Sequence, residues 1–197
     1  MRTVAIAIVT LMLTALPVFG QGAEIGISGG WGHFLSGTVG LEEAFGEEPA
    51  EYTIDDGVRI GVRMDFNTGD FIGHEVSYGF QHSSLEILDQ SFGSMSIHNI
   101  YYNFMLHAFP EGSVVRPFVT GGAGVSVFNP PGVSSFSGAG DNKFGYNYGA
   151  GVKFKMTESY GIRLDVRDHV TGKPFDLPGG DGRLHNLELS AGFSLLF

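Results

Sequence analysis

The sequence LELSAGFSLLF, at residues 187–197, alternates apolar and polar side chains up to an aromatic last residue. The odd positions are all apolar, and the even positions are polar or glycine except for Leu196. Because successive side chains of a β-strand point to opposite faces, this alternation predicts a strand with one apolar and one polar face. The apolar face must meet either a protein core or lipid, and the rest of the chain decides between them.

The composition favours a protein made of many short strands. Only 16% of the 197 residues are charged, whereas about 25% is usual in soluble domains. Glycine occurs 31 times and phenylalanine 17 times, and the absence of cysteine excludes disulfides and thiolate chemistry. The net charge of −10 argues against nucleic acid as a partner, because binding it needs a basic surface.

The first 22 residues have the layout of a secretory signal peptide. Arg2 precedes an apolar run at 4–19, which is shorter than the roughly 20 residues of a comfortable transmembrane helix. Pro17 and the small residues Gly20 and Gly22 follow as a cleavage region would. We therefore expect residues 1–22 to be a signal peptide and residues 23–197 to form one exported domain.

Seven further segments alternate like the last one, which makes eight predicted strands. They lie at 23–33, 58–66, 71–82, 97–108, 115–128, 144–156 and 160–169. No stretch after the signal approaches 18 consecutive apolar residues, so helical membrane spans are not expected. The connections after the second, fourth and sixth strands are short, and those after the odd-numbered strands are longer. Short turns at one rim and long loops at the other are typical of an outer-membrane barrel.

The polar strand faces carry most of the charged residues of the strands. They are Glu24, Arg59, Arg63, Asp65, Glu75, Lys153, Lys155, Arg163, Asp165, Arg167 and Glu188. A soluble sandwich would show this face to water, whereas an eight-stranded barrel in lipid would fill its narrow interior with it as ion pairs. The export signal, the even strand count and aromatic residues near strand ends favour the membrane. We predict an all-β, eight-stranded antiparallel transmembrane up-and-down β-barrel.

The charge pattern also predicts which interior groups meet. We expect Arg59 and Arg63 to pair with acids of neighbouring strands, with Glu24, Asp65 and Glu75 as the nearest candidates. In the same way we expect Arg163, Asp165 and Arg167 to meet Lys153, Lys155 and Glu188. A one-residue slip of any strand would turn these charges into lipid, so they should fix the register.

The chain resembles the small bacterial outer-membrane barrels of the OmpA-like and OmpX-like class, barrel domain only. The likeness covers nearly all of residues 23–197, including RPFVTGGAGV at 116–125. It implies a monomer in the bacterial outer membrane, in contact with outer-membrane lipid and lipopolysaccharide. Members often end in an aromatic residue that the barrel-assembly machinery recognises, and Phe193, Leu195 and Phe197 fit this pattern.

Three functions are compatible with such a barrel. The first is a non-enzymatic surface protein whose loops serve envelope integrity, adhesion or recognition, and this is the function we expect. The second is a small-solute channel. The third is a lipid A 3-O-deacylase-like esterase, because QHSSLE at 81–86 places His82 and Ser84 on one outward face. That family commonly has Asn after the Ser and a Glu in the next strand, where this chain has Leu85 and serines, so the relay is incomplete.

Acidic residues crowd the first long loop without any base. They are Glu42, Glu43, Glu47, Glu48, Glu51, Asp55 and Asp56. The ordered Asp-x-Asp-x-Asp-Gly spacing of a calcium loop is missing, so we expect a solvated loop, no metal site and no cofactor. An alternative is contact with the divalent cations that bridge lipopolysaccharide phosphates.

Overall fold

The computed structural model describes residues 22–42, 50–87, 90–180 and 182–197, and all of the expected signal peptide except Gly22 lies outside them. In these residues no helix is long and apolar enough to cross a membrane. The described chain forms ten strands. They are β1 Ala23–Phe34, β2 Thr38–Glu42, β3 Ala50–Ile54, β4 Gly57–Asn67, β5 Ile72–Ile87, β6 Gln90–His107, β7 Val115–Asn129, β8 Asp141–Lys155, β9 Tyr160–Gly172 and β10 Arg183–Leu196.

Eight of these strands close into a barrel. Following the ring, β1, β4, β5, β6, β7, β8, β9 and β10 each pair antiparallel with the next, and β10 returns to β1. The pairing of β1 with β10 that closes the barrel runs from Glu24↔Leu196 to Phe34↔Asn186. The strand predicted at 187–197 is therefore the one that closes the ring. The predicted all-β, eight-stranded antiparallel barrel is confirmed.

The two ends of the barrel differ. The connections at 68–71, 108–114 and 156–159 are short and lie at one end, together with Gly22, whose amide donates to the carbonyl of Phe197 (3.0 Å). We call this the turn end. The opposite, loop end holds the connections at 35–56, 130–140 and 173–182. Within the first of these, β2 pairs with β3, and β3 extends the sheet at the far end of β5.

The long loop expected after the third predicted strand, between residues 82 and 97, is instead a hairpin. β5 continues to Ile87 and β6 begins at Gln90, so both strands project beyond the rest of the barrel. The prediction was wrong because five serines dilute the alternation there, although Leu85 and Met95 still point inward and are buried. Pairing of Tyr52 with Ile87 adds a third strand that supports the projection.

The two faces of the barrel wall have opposite polarity. Apolar side chains at the outward positions are exposed, as at Ile60 (60%) and Ile100 (51%). Charged side chains at the inward positions are buried, as at Arg63 (7%) and Glu75 (0%). Apolar side chains on an outer surface are favourable only where that surface does not face water. The outer wall of the barrel is therefore suited to contact with lipid.

At the loop end the inward positions change from polar to apolar. Eight buried side chains pack together there: Phe34, Val39, Ile54, Leu85, Met95, Ile97, Phe128 and Leu184. Tyr52, Phe175 and Leu177 cover this group from the loop side. We call it the apolar cap. It closes the barrel interior where the strands leave the lipid, because in water the apolar side chains must turn inward.

Candidate functional site

Almost all the charged residues expected in the lumen are buried inside it. Lys155 is the exception, since it lies at the turn end and pairs with the exposed Glu158 (2.5 Å). In the middle of the lumen Glu75 receives Arg163 Nη1 at 2.8 Å and Arg167 Nη1 at 2.6 Å. Asp165 receives Arg63 Nη1 at 2.9 Å and Arg163 Nε at 2.8 Å. Acids and arginines therefore alternate, and each charge is neutralised by more than one partner.

The same network continues towards both ends. Towards the turn end, Lys153 Nζ donates to Asp65 (2.6 Å) and Glu24 (2.9 Å). Towards the loop end, Glu188 accepts from Arg59 Nε (2.9 Å) and Arg63 Nη2 (2.8 Å), and its other neighbour His169 lies 2.9 Å away.

A glycine makes room for one of these arginines. Gly79 faces inward on β5, and a Cβ at this position would overlap the guanidinium of Arg59.

The expected partners of the lumen arginines were wrong. Arg163 and Arg167 pair with Glu75 and Asp165, and neither they nor Asp165 pair with Lys153, Lys155 or Glu188. Arg59 and Arg63 lie on β4, but their acids Glu188 and Asp165 lie on β10 and β9, two and three strands away around the ring. The neighbouring strands offer Arg63 only Gly26 and Ser77 at the same height. Because the lumen of eight strands is narrow, a long arginine side chain reaches across it more easily than along the wall.

The network fills the middle of the described lumen closely. A cavity lined by Arg59, Arg63, Arg167, His169 and Glu188 measures only about 10 Å³, which is about the space of one water probe. Above it the apolar cap closes the loop end. At the turn end a vestibule of about 630 Å³ opens outward and is lined by Glu24, Arg116 and Lys153, among others. This vestibule ends at Lys153 and Arg163.

His82 and Ser84 lie on the outward face of β5, as expected. His82 is exposed and stands opposite Ser96, and Ser84 stands opposite Ser94. Among the described residues, neither side chain has a hydrogen bond and no carboxylate contacts His82. The pair therefore lacks an orienting acid in this arrangement.

Sequence reasoning missed two other histidines whose rings lie within hydrogen-bond distance of a carboxylate. Nδ1 of His33 lies 2.6 Å from Asp56, and Nδ1 of His185 lies 2.7 Å from Asp168. Tyr148 also donates to Asp168 (2.8 Å). The outward parity of His33 and His185 was visible in the sequence. Their partners were not, since 23 and 17 residues separate the members of each pair.

Asp56 lies in the loop between β3 and β4 and is held as a carboxylate. Partial burial would raise its pKa, but hydrogen bonds from His33, the amide of Phe34 and Trp31 outweigh this, and the pKa is lowered. Glu43, Glu47 and Glu48 of that loop lie outside the described residues. Within the described part, no three acidic or histidine side chains are grouped so that they could hold a cation.

The expected assembly residues at the end of the chain face outward. Phe193, Leu195 and Phe197 are each about half exposed, and Phe193 stacks on Tyr160 with 5.6 Å between ring centroids. They form an aromatic and aliphatic patch at the turn end, where an interface girdle is expected.

A closed barrel with a lipid-facing wall and a charged lumen defines a bacterial outer-membrane β-barrel. The sequence model of the family called outer membrane protein beta-barrel domain matches residues 5–197. The chain therefore belongs to that family and lies in the bacterial outer membrane. No curated protein matches the sequence.

Solved structures agree on the fold. The chain is similar to OprG from Pseudomonas aeruginosa (TM-score 0.67, 13% identity, 90% of this chain and 97% of that one). It is also similar to Neisserial surface protein A (0.61, 15%, 89% and 97%) and to the N-terminal barrel of Pseudomonas aeruginosa OprF (0.52, 14%, 90% and 98%). At these identities the likeness shows the fold alone.

The lumen network yields a stability prediction. Arg63→Ala should lower the free energy of unfolding by about 3–5 kcal/mol, because it leaves Asp165 and Glu188 as buried charges with fewer partners. Val62→Ala, one residue away on the lipid face, should cost much less. Urea unfolding of both variants in phospholipid vesicles, followed by tryptophan fluorescence, measures the difference. Equal losses would show that the network contributes little.

Proposed function

We propose that the protein is a sealed, non-enzymatic surface barrel whose loop end serves envelope integrity, adhesion or recognition. The observation that carries this proposal is the double closure of the interior. Paired charges fill the lumen, and the apolar cap lies above them. A small-solute channel needs a continuous polar path, and the paired charges and the apolar cap argue against one.

The loop end is packed in a way that suits a binding platform. In such barrels the longer loops face the outside of the cell. Here the loop after β9 is tied to β2 by the bond from the amide of Leu41 to the carbonyl of Pro178 (2.7 Å). Two large apolar side chains stand exposed on this platform, Phe92 (65%) on the β5–β6 hairpin and Phe136 (73%) on the loop after β7. Exposed aromatic residues on an ordered surface favour contact with another molecule.

The rest of the proposal concerns export and assembly. Residues 1–22 act as the signal peptide, and the barrel-assembly machinery recognises the last strand through Phe193, Leu195 and Phe197. The mature barrel is a monomer, and outer-leaflet lipopolysaccharide surrounds its loop-side rim. The outward, exposed position of the three C-terminal side chains supports the assembly role.

Conductance tests the sealed interior. The purified protein in planar lipid bilayers should give no steady current, because the Arg63, Arg163 and Arg167 pairs fill the lumen below the apolar cap. A porin incorporated into the same bilayers serves as the positive control. Regular, ohmic current steps from the folded barrel would contradict the proposal and favour the small-solute channel.

Lipid A analysis separates the surface barrel from the esterase. Expression of the wild-type protein should leave the acyl chains of lipid A unchanged in mass spectra, since no carboxylate among the described residues contacts His82. The Ser84→Ala variant should give the same spectrum. If an acyl chain is lost with the wild type and retained with Ser84→Ala, the enzyme hypothesis is correct.

The platform is tested in cells. In a strain that lacks the chromosomal copy, wild-type protein should restore adherence or detergent resistance, and the double variant Phe92→Ser/Phe136→Ser should restore it less. Phe109→Ser is the control, because it removes an exposed aromatic side chain (51%) at the turn end, away from the platform. Surface-exposed amounts of all three must be equal. Full restoration by the double variant would show that these phenylalanines are not the contact surface.

A further inference from the structure

The vestibule at the turn end has no part in the function proposed above. It measures about 630 Å³, opens towards the periplasm and ends at Lys153 and Arg163. That volume is ordinary for a site that binds a small molecule. Among the residues that the structure describes, its lining holds four cations and four acids: Arg116, Lys153, Lys155 and Arg163, with Glu24, Asp70, Glu111 and Glu158. The lining is therefore charged but neutral overall, which suits a ligand that carries both signs.

Five of these eight charges already have ion-pair partners among themselves or in the lumen network. They are Lys153 with Glu24, Lys155 with Glu158, and Arg163 with Asp65 and Glu75. Within the described chain, Arg116, Glu111 and Asp70 have no oppositely charged side chain within ion-pair distance. One cation and two acids thus remain for a ligand.

Arg116, the first residue of RPFVTGGAGV, is held in a fixed position. Its side chain is buried, and its guanidinium donates from Nε to the carbonyl of Phe109 (3.2 Å) and from Nη2 to that of Asp70 (2.7 Å). Nη1 has no hydrogen-bond partner in the described chain, and it can be reached from the vestibule, unlike the unpartnered nitrogens of the lumen arginines. A positioned guanidinium without an acid favours an anion, above all a carboxylate, whose two oxygens match it.

The two unpaired acids lie beside the carbonyl groups that hold Arg116. Asp70 supplies one of these carbonyls, and Glu111 lies two residues after Phe109, which supplies the other. Both acidic side chains are exposed at the open end of the vestibule. Glu111 Oε1 accepts one hydrogen bond from Asn67 (3.1 Å), and no other described side chain donates to it. A ligand anchored on Arg116 therefore presents its other end to two carboxylates, which attract an ammonium group.

We propose that the vestibule binds a short peptide, with a carboxylate of the peptide on Arg116 and an ammonium group of the peptide at Glu111 and Asp70. Because Lys153 and Arg163 close the inner end, the peptide binds at the periplasmic face and does not pass through the barrel. Free peptides of the periplasm and peptides attached to the cell wall both supply this chemistry. A phosphoethanolamine headgroup also carries both charges, but it brings acyl chains that a charged lining does not accommodate.

Three forms of one tripeptide test the two charges separately. The mature protein in dodecylmaltoside micelles is titrated by calorimetry with trialanine, with trialanine amide, which lacks the carboxylate, and with N-acetyltrialanine, which lacks the ammonium. We expect saturable binding of trialanine with a Kd of about a millimolar or tighter. The amide should bind about tenfold more weakly or worse, and the acetylated form about threefold more weakly. The mature protein keeps its own amino terminus, which begins beside the vestibule at Ala23, as a competitor.

Variants locate the peptide in the vestibule. Arg116→Gln keeps a donor for the carbonyl groups but loses the charge, so trialanine and its amide should bind this variant equally weakly. The double variant Asp70→Asn/Glu111→Gln should lose the preference for trialanine over N-acetyltrialanine. Lys143→Gln is the control, because it removes a cation that pairs with Asp176 at the loop end, and it should bind trialanine as the wild type does.

Heat-dependent electrophoretic mobility establishes that each variant is folded. If Arg116→Gln does not fold, the comparison of trialanine with its amide on the wild type still decides. Equal binding of these two by the wild type, or a signal that does not saturate, would overturn the proposal. So would glycerophosphoethanolamine that binds as tightly as trialanine, because the vestibule would then be a lipid headgroup site.

Co-sedimentation with purified cell-wall sacculi separates the two sources of peptide. Retention of the protein that trialanine displaces would identify the peptides of the cell wall. Trialanine binding without retention would identify free peptides. The vestibule lies at the end opposite the platform, so the sealed surface barrel can stand if the peptide site fails.

Discussion

Closure of the backbone hydrogen-bond ring is the constraint on which the rest of this structure depends. In hydrocarbon an unpaired amide or carbonyl group has no water to bond, so a sheet in lipid cannot keep an edge. The pairing of β10 with β1 over eleven residue pairs removes that edge. Closing after eight strands in turn fixes a lumen so narrow that side chains alone must fill it.

The interior chemistry follows from that narrowness. A charged side chain on the lipid face destabilises a barrel, and the alternation along each strand places the charges inward instead. There, arginines from one side of the ring reach acids on the other. A buried ion pair gains little over an apolar pair, but a buried charge without its partner costs several kcal/mol. The network thus ties β4, β5, β8, β9 and β10 together and penalises any shift of register among them.

The sequence was sufficient to predict every feature that depends on the alternation of apolar and polar residues along a strand. Alternation at 187–197 and in seven other segments predicted the strands, the closing seam and the inward side of Arg59, Arg63, Arg163 and Arg167. The partners of Arg59 and Arg63 were not predictable, because they depend on the width of the lumen rather than on neighbouring strands. The β5–β6 hairpin was missed because its outward serines resemble a loop. The links from His33 to Asp56 and from His185 to Asp168 depend on the register of the β1–β4 and β9–β10 pairs, which alternation alone does not give.

The polarity reversal at the apolar cap also sets how deep the barrel sits. On β5 the outward residues change from Val76, Tyr78 and Phe80 to His82 and Ser84, and the inward residues change from Glu75 and Ser77 to Leu85. Sliding the protein towards the periplasm would draw His82 and Ser84 into hydrocarbon, and sliding it outward would strip lipid from the aromatic side chains. β5 therefore carries its own depth marker, and the height of the platform above the membrane is held by the same alternation that forms the wall.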